Sequence, residues 1–294
     1  RTIESRSSRL ITILITPFMS CSARIPIYLL LAGTFFAADA SLVMIGLYVL
    51  GVVLAVVTAR LMRRFMFPVD ETPFVMELPA YHAPSAGNVL RSMWERGWSF
   101  IKRAGTVILL STIVLWFLQG FGFENGAFGM VEDNNNSILA NIGNAIAWIF
   151  APLGWGNWKA AVASITGLVA KENIVGTLGI LYGGGELTVY QNIAAAFTGI
   201  TGYSFLVFNL LCAPCFAAIG AIKREMNNAK WTWFAIGYQC GFAYLIALMI
   251  NQFGNAFAGS LNVIGLIAAI VVLAGMIYML FKPYKEATKL SDKH

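Results

Sequence analysis

The chain has 294 residues, of which 58% are apolar and only 12% charged, and its mean hydropathy is +0.71. Soluble domains carry roughly 25% charged residues, so this composition excludes an ordinary soluble domain and indicates a protein embedded in lipid. The net charge of +6 is compatible with nucleic-acid binding, but the placement of the basic residues argues for membrane orientation instead, and we expect no nucleic-acid partner. Because the chain opens with Arg1 and not with Met, we expect it to be an excerpt of a longer protein.

Apolar runs near the ~20 residues that cross a bilayer recur along the whole chain. They cover residues 10–36, 41–59, 104–121, 158–182, 203–222, 231–251 and 259–281. A shorter run, 138–151, is expected to be a short span, a re-entrant half-helix or an interfacial helix, and Lys159 at the turn that follows favours two crossings. Helix is expected throughout, because an isolated strand cannot satisfy its backbone hydrogen bonds in lipid. The predicted fold class is all-α: a polytopic transmembrane helical bundle of six to eight crossings with broken or re-entrant helices.

The Lys and Arg residues divide the connecting segments into two groups. All but three of the 20 lie in segments 1–9, 60–103, 223–230 and 282–294. The opposite loops, which contain no Lys or Arg and carry five acidic residues, are 37–40, 122–137, 183–202 and 252–258. By the positive-inside rule the basic segments, and with them both ends of the chain, are predicted to be cytoplasmic. The acidic loops are either ordinary solvated loops or a negative vestibule that concentrates cations.

The 60–103 connection divides the chain. Within it, residues 67–84 form a proline-punctuated linker, and 88–103 are predicted to form a basic amphipathic helix on the cytoplasmic surface, with Trp94 and Trp98 on its apolar face. The predicted parts are a broken-helix gate segment with a second span (1–59), the cytoplasmic linker and amphipathic interfacial helix (60–103), a second gate-like transmembrane domain (104–281) and a cytoplasmic tail (282–294).

The most informative segment is 17–26, which interrupts an apolar run with two prolines, small polar residues, a thiol and an arginine. Proline removes a backbone donor and clashes with the preceding turn, so the helix is predicted to break here and to free carbonyls. Cys21 lies roughly 16 Å beyond Leu10 at ~1.5 Å per residue, about half of a ~30 Å hydrocarbon core. Transporters build ion sites from such broken helices. Cys21 is therefore the first candidate metal contact, and Met19 is either a second contact or an apolar lining residue.

Arg24 is costly at this depth, on the order of 2.5–3.5 kcal/mol, and it needs a carboxylate, carbonyls or water as partner. It is expected either to form a buried ion pair that fixes helix packing or to handle the transported species directly. Ser20 and Ser22, on either side of Cys21, are candidate pathway residues.

A second pair of charges, Lys171 and Glu172, lies midway along the predicted 158–182 span. Neighbouring residues on a helix point in different directions and do not pair with each other. Glu172 is therefore predicted to face Arg24 or a cation, which makes it a candidate metal ligand, and Lys171 is predicted to reach carbonyls or an acid. A polar pathway lining and a purely structural network both stay open.

Cys212 and Cys215 are spaced so that, on a continuous helix, both thiols lie on one face. Two soft ligands would suit a transition metal, and the alternative is packing of small residues beside a kink at Pro214. Cys215 is kept as a candidate metal ligand, whereas Cys240 is expected only to pack. Because the chain has no P-loop and only two histidines, we expect no enzyme active site and no cofactor in it.

Four stretches of the sequence are distinctive. They are Pro17-Phe18-Met19-Ser20-Cys21-Ser22-Ala23-Arg24-Ile25-Pro26; Pro73-Phe74-Val75-Met76-Glu77-Leu78-Pro79-Ala80-Tyr81; Ala170-Lys171-Glu172 with Gly176-Thr177-Leu178-Gly179; and Pro214-Cys215 with Ala221-Ile222-Lys223-Arg224-Glu225. Together they resemble the ferrous iron transporter family FeoB, in the C-terminal half of its membrane domain. The resemblance implies a proton- or nucleotide-linked Fe²⁺ permease of the bacterial inner membrane, with Cys21 as the motif cysteine. Cys212 and Asn173 depart from the family's pattern and inherit no role from it.

The resemblance also implies what lies outside the chain. The family's N-terminal GTPase domain and first gate motif would precede Arg1, so GTP is expected to bind that missing part, and Fe²⁺ is expected to be the substrate. The lipid bilayer, a homo-oligomer and small accessory Feo proteins are the other expected partners. The alternatives are a gate-type carrier of another divalent metal, Mn²⁺ or Zn²⁺, or of a nucleoside-like solute, for which Asn209 and Asn173 are the available amides.

Overall fold

The structure, a computed structural model, describes residues 6–65, 85–124, 127–131, 134–183, 188–260 and 262–281. Within these ranges the chain forms twelve α-helices and one two-stranded hairpin. The helices are α1 (Arg6–Ile15), α2 (Ile25–Phe35), α3 (Ala40–Phe65), α4 (Ala86–Gly120), α5 (Ile138–Phe150), α6 (Trp158–Val169), α7 (Asn173–Tyr182), α8 (Val189–Ala196), α9 (Gly199–Leu211), α10 (Phe216–Met226), α11 (Ala229–Phe257) and α12 (Val263–Phe281), and the strands are β1 (Phe121–Glu124) and β2 (Ala127–Met130). The predicted all-α fold class is confirmed, with the hairpin as a local exception.

Five segments in the described part of the chain are long and apolar enough to cross a membrane. They are Ser7–Phe35, Ala40–Arg64, Gly199–Met226, Ala229–Phe257 and Val263–Phe281. The first contains the break between α1 and α2, and the third contains the break between α9 and α10. The bent pair α5–α6 would add a sixth span. The protein is therefore a multi-pass membrane protein, as the hydropathy predicted.

Helix α4 is continuous for 35 residues, which is ~52 Å at ~1.5 Å per residue. The sequence predicted an amphipathic helix at 88–103 followed by a separate span at 104–121, and this division is wrong. No proline separates the two halves, so the backbone continues as one helix. The indoles of Trp94 and Trp98 stack at 6.0 Å on its exposed N-terminal half. The predicted linker, 67–84, lies outside the described residues.

The loop after α4 contains the β1–β2 hairpin, in which Phe121 pairs with Met130 and Gly122 with Gly129. The sequence predicted no strand here. Strand β1 packs against the segment before α5, where Gly122 lies so close to the backbone of Asn136 that a Cβ atom would collide with it. The missing side chain of Gly122 therefore allows these two segments of the chain to approach each other.

The 158–182 run is a helical hairpin, α6–α7, and not one continuous span. Its two ends lie side by side: Lys159 Nζ donates to Leu181 O at 2.9 Å, and Tyr182 Oη donates to Asn157 Oδ1 at 3.2 Å. The tip is Ala170–Glu172, where polar and charged residues interrupt the apolar run. Lys159 therefore lies at the same end as the exit of α7, which contradicts the two-crossing prediction. Helices α5 and α6 meet at a 96° bend.

The core is centred on α9, which packs mainly against α11 and also contacts α2 and α3. The C-terminal half of α9 is buried almost completely, including Phe205, Leu206 and Leu210. At its N-terminal half, Ser204 Oγ donates to Leu153 O at 3.1 Å and to Ala247 O at 3.0 Å. A buried hydroxyl thus joins three elements, which fixes α9 between the α5–α6 connection and α11.

Candidate functional site

Helix is interrupted at three places: residues 16–24, the hairpin tip 170–172, and residues 212–215. Gly51 on α3 lies against the carbonyl of Phe18 and the side chain of Leu210, so the first interruption packs close to the C-terminal end of α9. The ring of Phe18 lies 5.4 Å from that of Phe242 on α11. The tip of the hairpin reaches the third interruption through Lys171, as described below. Irregular backbone at membrane depth is tolerated where protein or a cavity surrounds it.

The first interruption consists of two short 3₁₀ turns, Thr16–Phe18 and Ser22–Arg24, joined by extended backbone. Met19 has ψ 130° and Cys21 has ψ 163°. In extended backbone, alternate side chains point to the same side. Met19, which is 51% exposed, and Cys21 are accordingly on the exposed side, whereas Ser20 turns inward to a hydroxyl contact with Tyr28 at 3.3 Å. The break that the two prolines predicted is present.

Arg24 lies behind this exposed face and is only 3% exposed. Its guanidinium donates to Pro17 O at 2.9 Å and to Met19 O at 3.1 Å. Carbonyls were one of the partners that the sequence allowed for Arg24. The sequence predicted that the break leaves carbonyls without hydrogen bonds. This prediction is wrong for Pro17 and Met19, because the guanidinium donates to both carbonyls. The predicted pairing with Glu172 is also wrong: Glu172 is exposed at the start of α7 and forms no salt bridge with Arg24.

Lys171 is 2% exposed, and its ammonium lies 2.9 Å from the thiol sulfur of Cys212, which is 1% exposed. The sequence predicted carbonyls or an acid as the partner, so this prediction is wrong. Cys212 was assigned no role because it departs from the family's pattern. No signal in the sequence joins two residues that are 41 positions apart. The contact links the tip of the α6–α7 hairpin to the end of α9.

Cys212 and Cys215 do not share a helical face, because residues 212–215 are not helical. Pro214 lacks an N–H and disfavours helical backbone at the residue before it. Cys215 is half-buried at the start of α10, separated from the buried Cys212. Nearby, the thiol of Cys240 lies close to the backbone of Ala213. The prediction of a two-thiol face is therefore wrong.

The candidate ligands do not form one complete metal shell. Among the described residues, no group of three or more His, Cys, Asp or Glu side chains converges. What the fold brings together is the exposed sulfur pair of Met19 and Cys21, with Ser22 beside it. Arg24 and Lys171 are both buried, and a metal ion is repelled from the surroundings of either cation. An ion bound by two sulfur atoms would need water or other groups to complete its coordination.

Two family models match the chain. The model described as "Ferrous iron transport protein B C terminus" matches residues 44–96, and the model described as "Nucleoside recognition" matches residues 101–229. The second match includes the hairpin tip and the 212–215 interruption. No solved structure matches the chain.

Relatives of known name match most of the chain. The Fe(2+) transporter FeoB of Methanocaldococcus jannaschii is 42% identical over 260 residues, which cover 87% of this chain and 38% of that protein. FeoB of Staphylococcus aureus strain COL is 37% identical over 257 residues, 87% of this chain and 38% of that protein. A Porphyromonas gingivalis protein, named as a fusion of Fe(2+) transport protein A with FeoB, is 36% identical over 302 residues, 87% of this chain and 36% of that protein. The chain thus spans little more than a third of the length of these relatives, and it belongs to the FeoB family as part of the membrane domain.

Proposed function

We propose that this chain is the permease portion of an Fe²⁺ uptake transporter, and that ferrous iron moves inward past Cys21. The observation that carries the proposal is the exposed thiol of Cys21 in a helix interruption that packs close to the C-terminal end of α9. Discontinuous helices at mid-membrane are a recurring way to build ion sites in transporters. The names of the relatives supply the identity of the ion.

The chemistry of the interruption suits an ion that must bind and then leave. Cys21 supplies a sulfur ligand in its thiolate form, and Met19 offers a thioether on the same side of the extended backbone. Soft sulfur ligands favour transition metals over Mg²⁺ or Ca²⁺. A partial shell binds more weakly than a closed structural site, and permeation requires that binding be weak enough for release.

The transporter is further proposed to lie in the bacterial inner membrane with the basic segments, and both ends of this chain, in the cytoplasm. GTP hydrolysis is assigned to a part of the protein outside this chain. The fused relative from P. gingivalis, whose name includes Fe(2+) transport protein A, supports a small Feo protein as a partner. Mn²⁺ and Zn²⁺ are the rival ions, because a thiolate alone does not select iron. A nucleoside-like solute is not favoured, since the relatives are named as Fe(2+) transporters.

Replacing Cys21 by Ser tests the proposal. The change keeps size and polarity but exchanges a soft sulfur for a harder oxygen, so we expect Fe²⁺ uptake per folded transporter to fall by roughly 10-fold or more. The matched control is Cys240→Ser, a half-buried thiol on α11. The measurement is the initial uptake rate into vesicles for Fe²⁺, Mn²⁺ and Zn²⁺, with the protein kept anaerobic.

Two results would count against the proposal. If the wild-type vesicles take up Mn²⁺ or Zn²⁺ but not Fe²⁺, the ion is misassigned. If Cys21→Ser matches Cys240→Ser in rate and in metal ranking, the pathway does not include the Cys21 thiol.

A further inference from the structure

Several backbone carbonyls around Cys21 already accept hydrogen bonds. Arg24 holds Pro17 O and Met19 O through its guanidinium at 2.9 and 3.1 Å. The N–H of Met19 donates to Thr16 O, and the N–H of Arg24 donates to Cys21 O, each at 3.1 Å. Four carbonyls of the interruption therefore already have donors.

The side chains of Met19, Cys21 and Ser22 are all exposed on the interruption, and they offer two sulfur atoms and one hydroxyl. Carbonyl oxygens suit hard cations such as Mn²⁺, whereas thiolate and thioether ligands suit softer transition metals. If a carbonyl is already occupied by a donor, it is not available as a hard oxygen ligand, and the remaining ligands of the site are softer.

We propose that Arg24 is a specificity-determining residue: by holding the carbonyls of Pro17 and Met19, it keeps these two hard oxygen ligands from a metal ion at the sulfur atoms of Cys21 and Met19. This inference rests on the proposed passage of a metal ion past Cys21. It assigns Arg24 a role other than an ion pair, which agrees with the absence of a salt bridge to it among the described residues.

The shape of the side chain is part of the argument. A guanidinium presents several N–H donors in a rigid fork, whereas a lysine ammonium is a point charge on a flexible stem. Here the two terminal nitrogens go to two different carbonyls, and the third, Nε, is buried without a hydrogen-bond partner in the described part of the chain. Lysine would keep the charge but would not reproduce this paired capture.

Two substitutions separate the positive charge of Arg24 from its hydrogen bonds to the two carbonyls. Arg24→Gln removes the charge and the paired hydrogen bonds, and Arg24→Lys keeps the charge but removes the paired hydrogen bonds. In both variants we expect the Mn²⁺-to-Fe²⁺ ratio of uptake rates to rise on the order of 10-fold, the size of effect typical when a group that supports a ligand shell is lost. Arg64→Gln is the matched control, because Arg64 also donates to a backbone carbonyl, that of Leu280, at the far end of α3. The control should leave the ratio unchanged.

A binding measurement makes the test independent of transport. Purified protein is treated with a maleimide with and without Fe²⁺, Mn²⁺ or Zn²⁺, and the alkylation of Cys21 is read by mass spectrometry of its peptide. In the wild type we expect Fe²⁺ and Zn²⁺ to protect Cys21 better than Mn²⁺. In both Arg24 variants, protection by Mn²⁺ should rise relative to Fe²⁺. Met19→Leu, at an exposed position, should shift the ranking in the same direction without touching Arg24, and it serves if the Arg24 variants do not fold.

The outcomes are distinct. If Arg24→Lys behaves as wild type while Arg24→Gln shifts the ranking, charge alone acts and the capture of carbonyls is refuted. An unchanged ranking in the Arg24 variants, or in Met19→Leu where the Arg24 variants do not fold, also refutes it, as does a wild type in which no metal protects Cys21. If metals protect Cys21 but the vesicles take up no Fe²⁺, the proposed function fails, and the protection ratios still decide the role of Arg24.

Discussion

Two cationic side chains lie deep in the bundle, and neither meets a carboxylate in the part of the chain that the structure describes. Arg24 donates to two carbonyls of its own interruption, and Lys171 contacts the thiol of Cys212. Placing a charge at this depth is expensive, and removing the partner of a buried charge costs more than the pair itself contributes. The partners of these two residues should therefore matter for stability even where they touch no substrate.

Replacing Cys212 by Ala tests this at the level of one residue. The ammonium of Lys171 would lose its only hydrogen-bond partner among the described residues. We therefore expect the free energy of unfolding to fall by at least about 1–3 kcal/mol. Cys212→Ser keeps an acceptor and should be milder. The measurement is the thermal unfolding temperature of the purified protein in detergent. Cys215→Ala, at a half-buried position, is the control, and a Cys212→Ala variant as stable as this control would contradict the prediction.

Interrupted elements, and not the continuous ones, carry the candidate chemistry. The break at 16–24 depends on close packing against α3, since Gly51 lies directly against the carbonyl of Phe18. The hairpin α6–α7 brings its charged tip to the 212–215 interruption. Long helices such as α3 and α11 supply the rigid surfaces that hold these irregular segments in place.

Gly51→Ala tests the packing of the first interruption. A Cβ atom at Gly51 would lie 2.6 Å from Phe18 O, and because that contact is backbone, either α3 or the interruption must move. Overpacking of this kind typically costs about 1–3 kcal/mol, and we expect a lower unfolding temperature together with a changed rate of Cys21 alkylation. On the same helix, Gly46 has nothing within 4 Å of the corresponding position, so Gly46→Ala should leave both measurements near the wild-type values. Equal behaviour of the two variants would show that this packing is not needed.

Over the whole molecule, charge placement is proposed to set the orientation, and the interruption around Cys21 is proposed to set the place of the ion. Of the five acids that suggested a vestibule, Glu132, Asp133 and Glu186 lie outside the described residues, so the vestibule stays a prediction. The side chains of Cys21 and Met19 are exposed in this chain. The chain spans little more than a third of the length of its relatives.

Cysteine labelling tests the orientation of the whole molecule. Single cysteines are placed at Ala229, at the start of α11 in the basic 223–230 segment, and at Ala38, in an opposite loop. The background has all four native cysteines replaced by Ser, and both positions are exposed. By the positive-inside rule, a membrane-impermeant maleimide should label Ala38→Cys in intact cells and should label Ala229→Cys only after permeabilisation. Labelling of Ala229→Cys from outside would overturn the orientation.

The membrane class, most of the apolar segments and the break at 17–26 could be predicted from the sequence, because they follow from local composition and from the missing N–H of proline. The motif around Cys21 and the family likewise depend on residues that are adjacent in the chain. The sequence did not determine that 158–182 folds back on itself, since a run of that length suits a hairpin as well as a span. The three-dimensional packing was needed to show that Arg24 holds carbonyls and that Lys171 meets Cys212. A buried charge requires some partner: the local fold of the interruption supplies it for Arg24, whereas packing between segments distant in the sequence supplies it for Lys171.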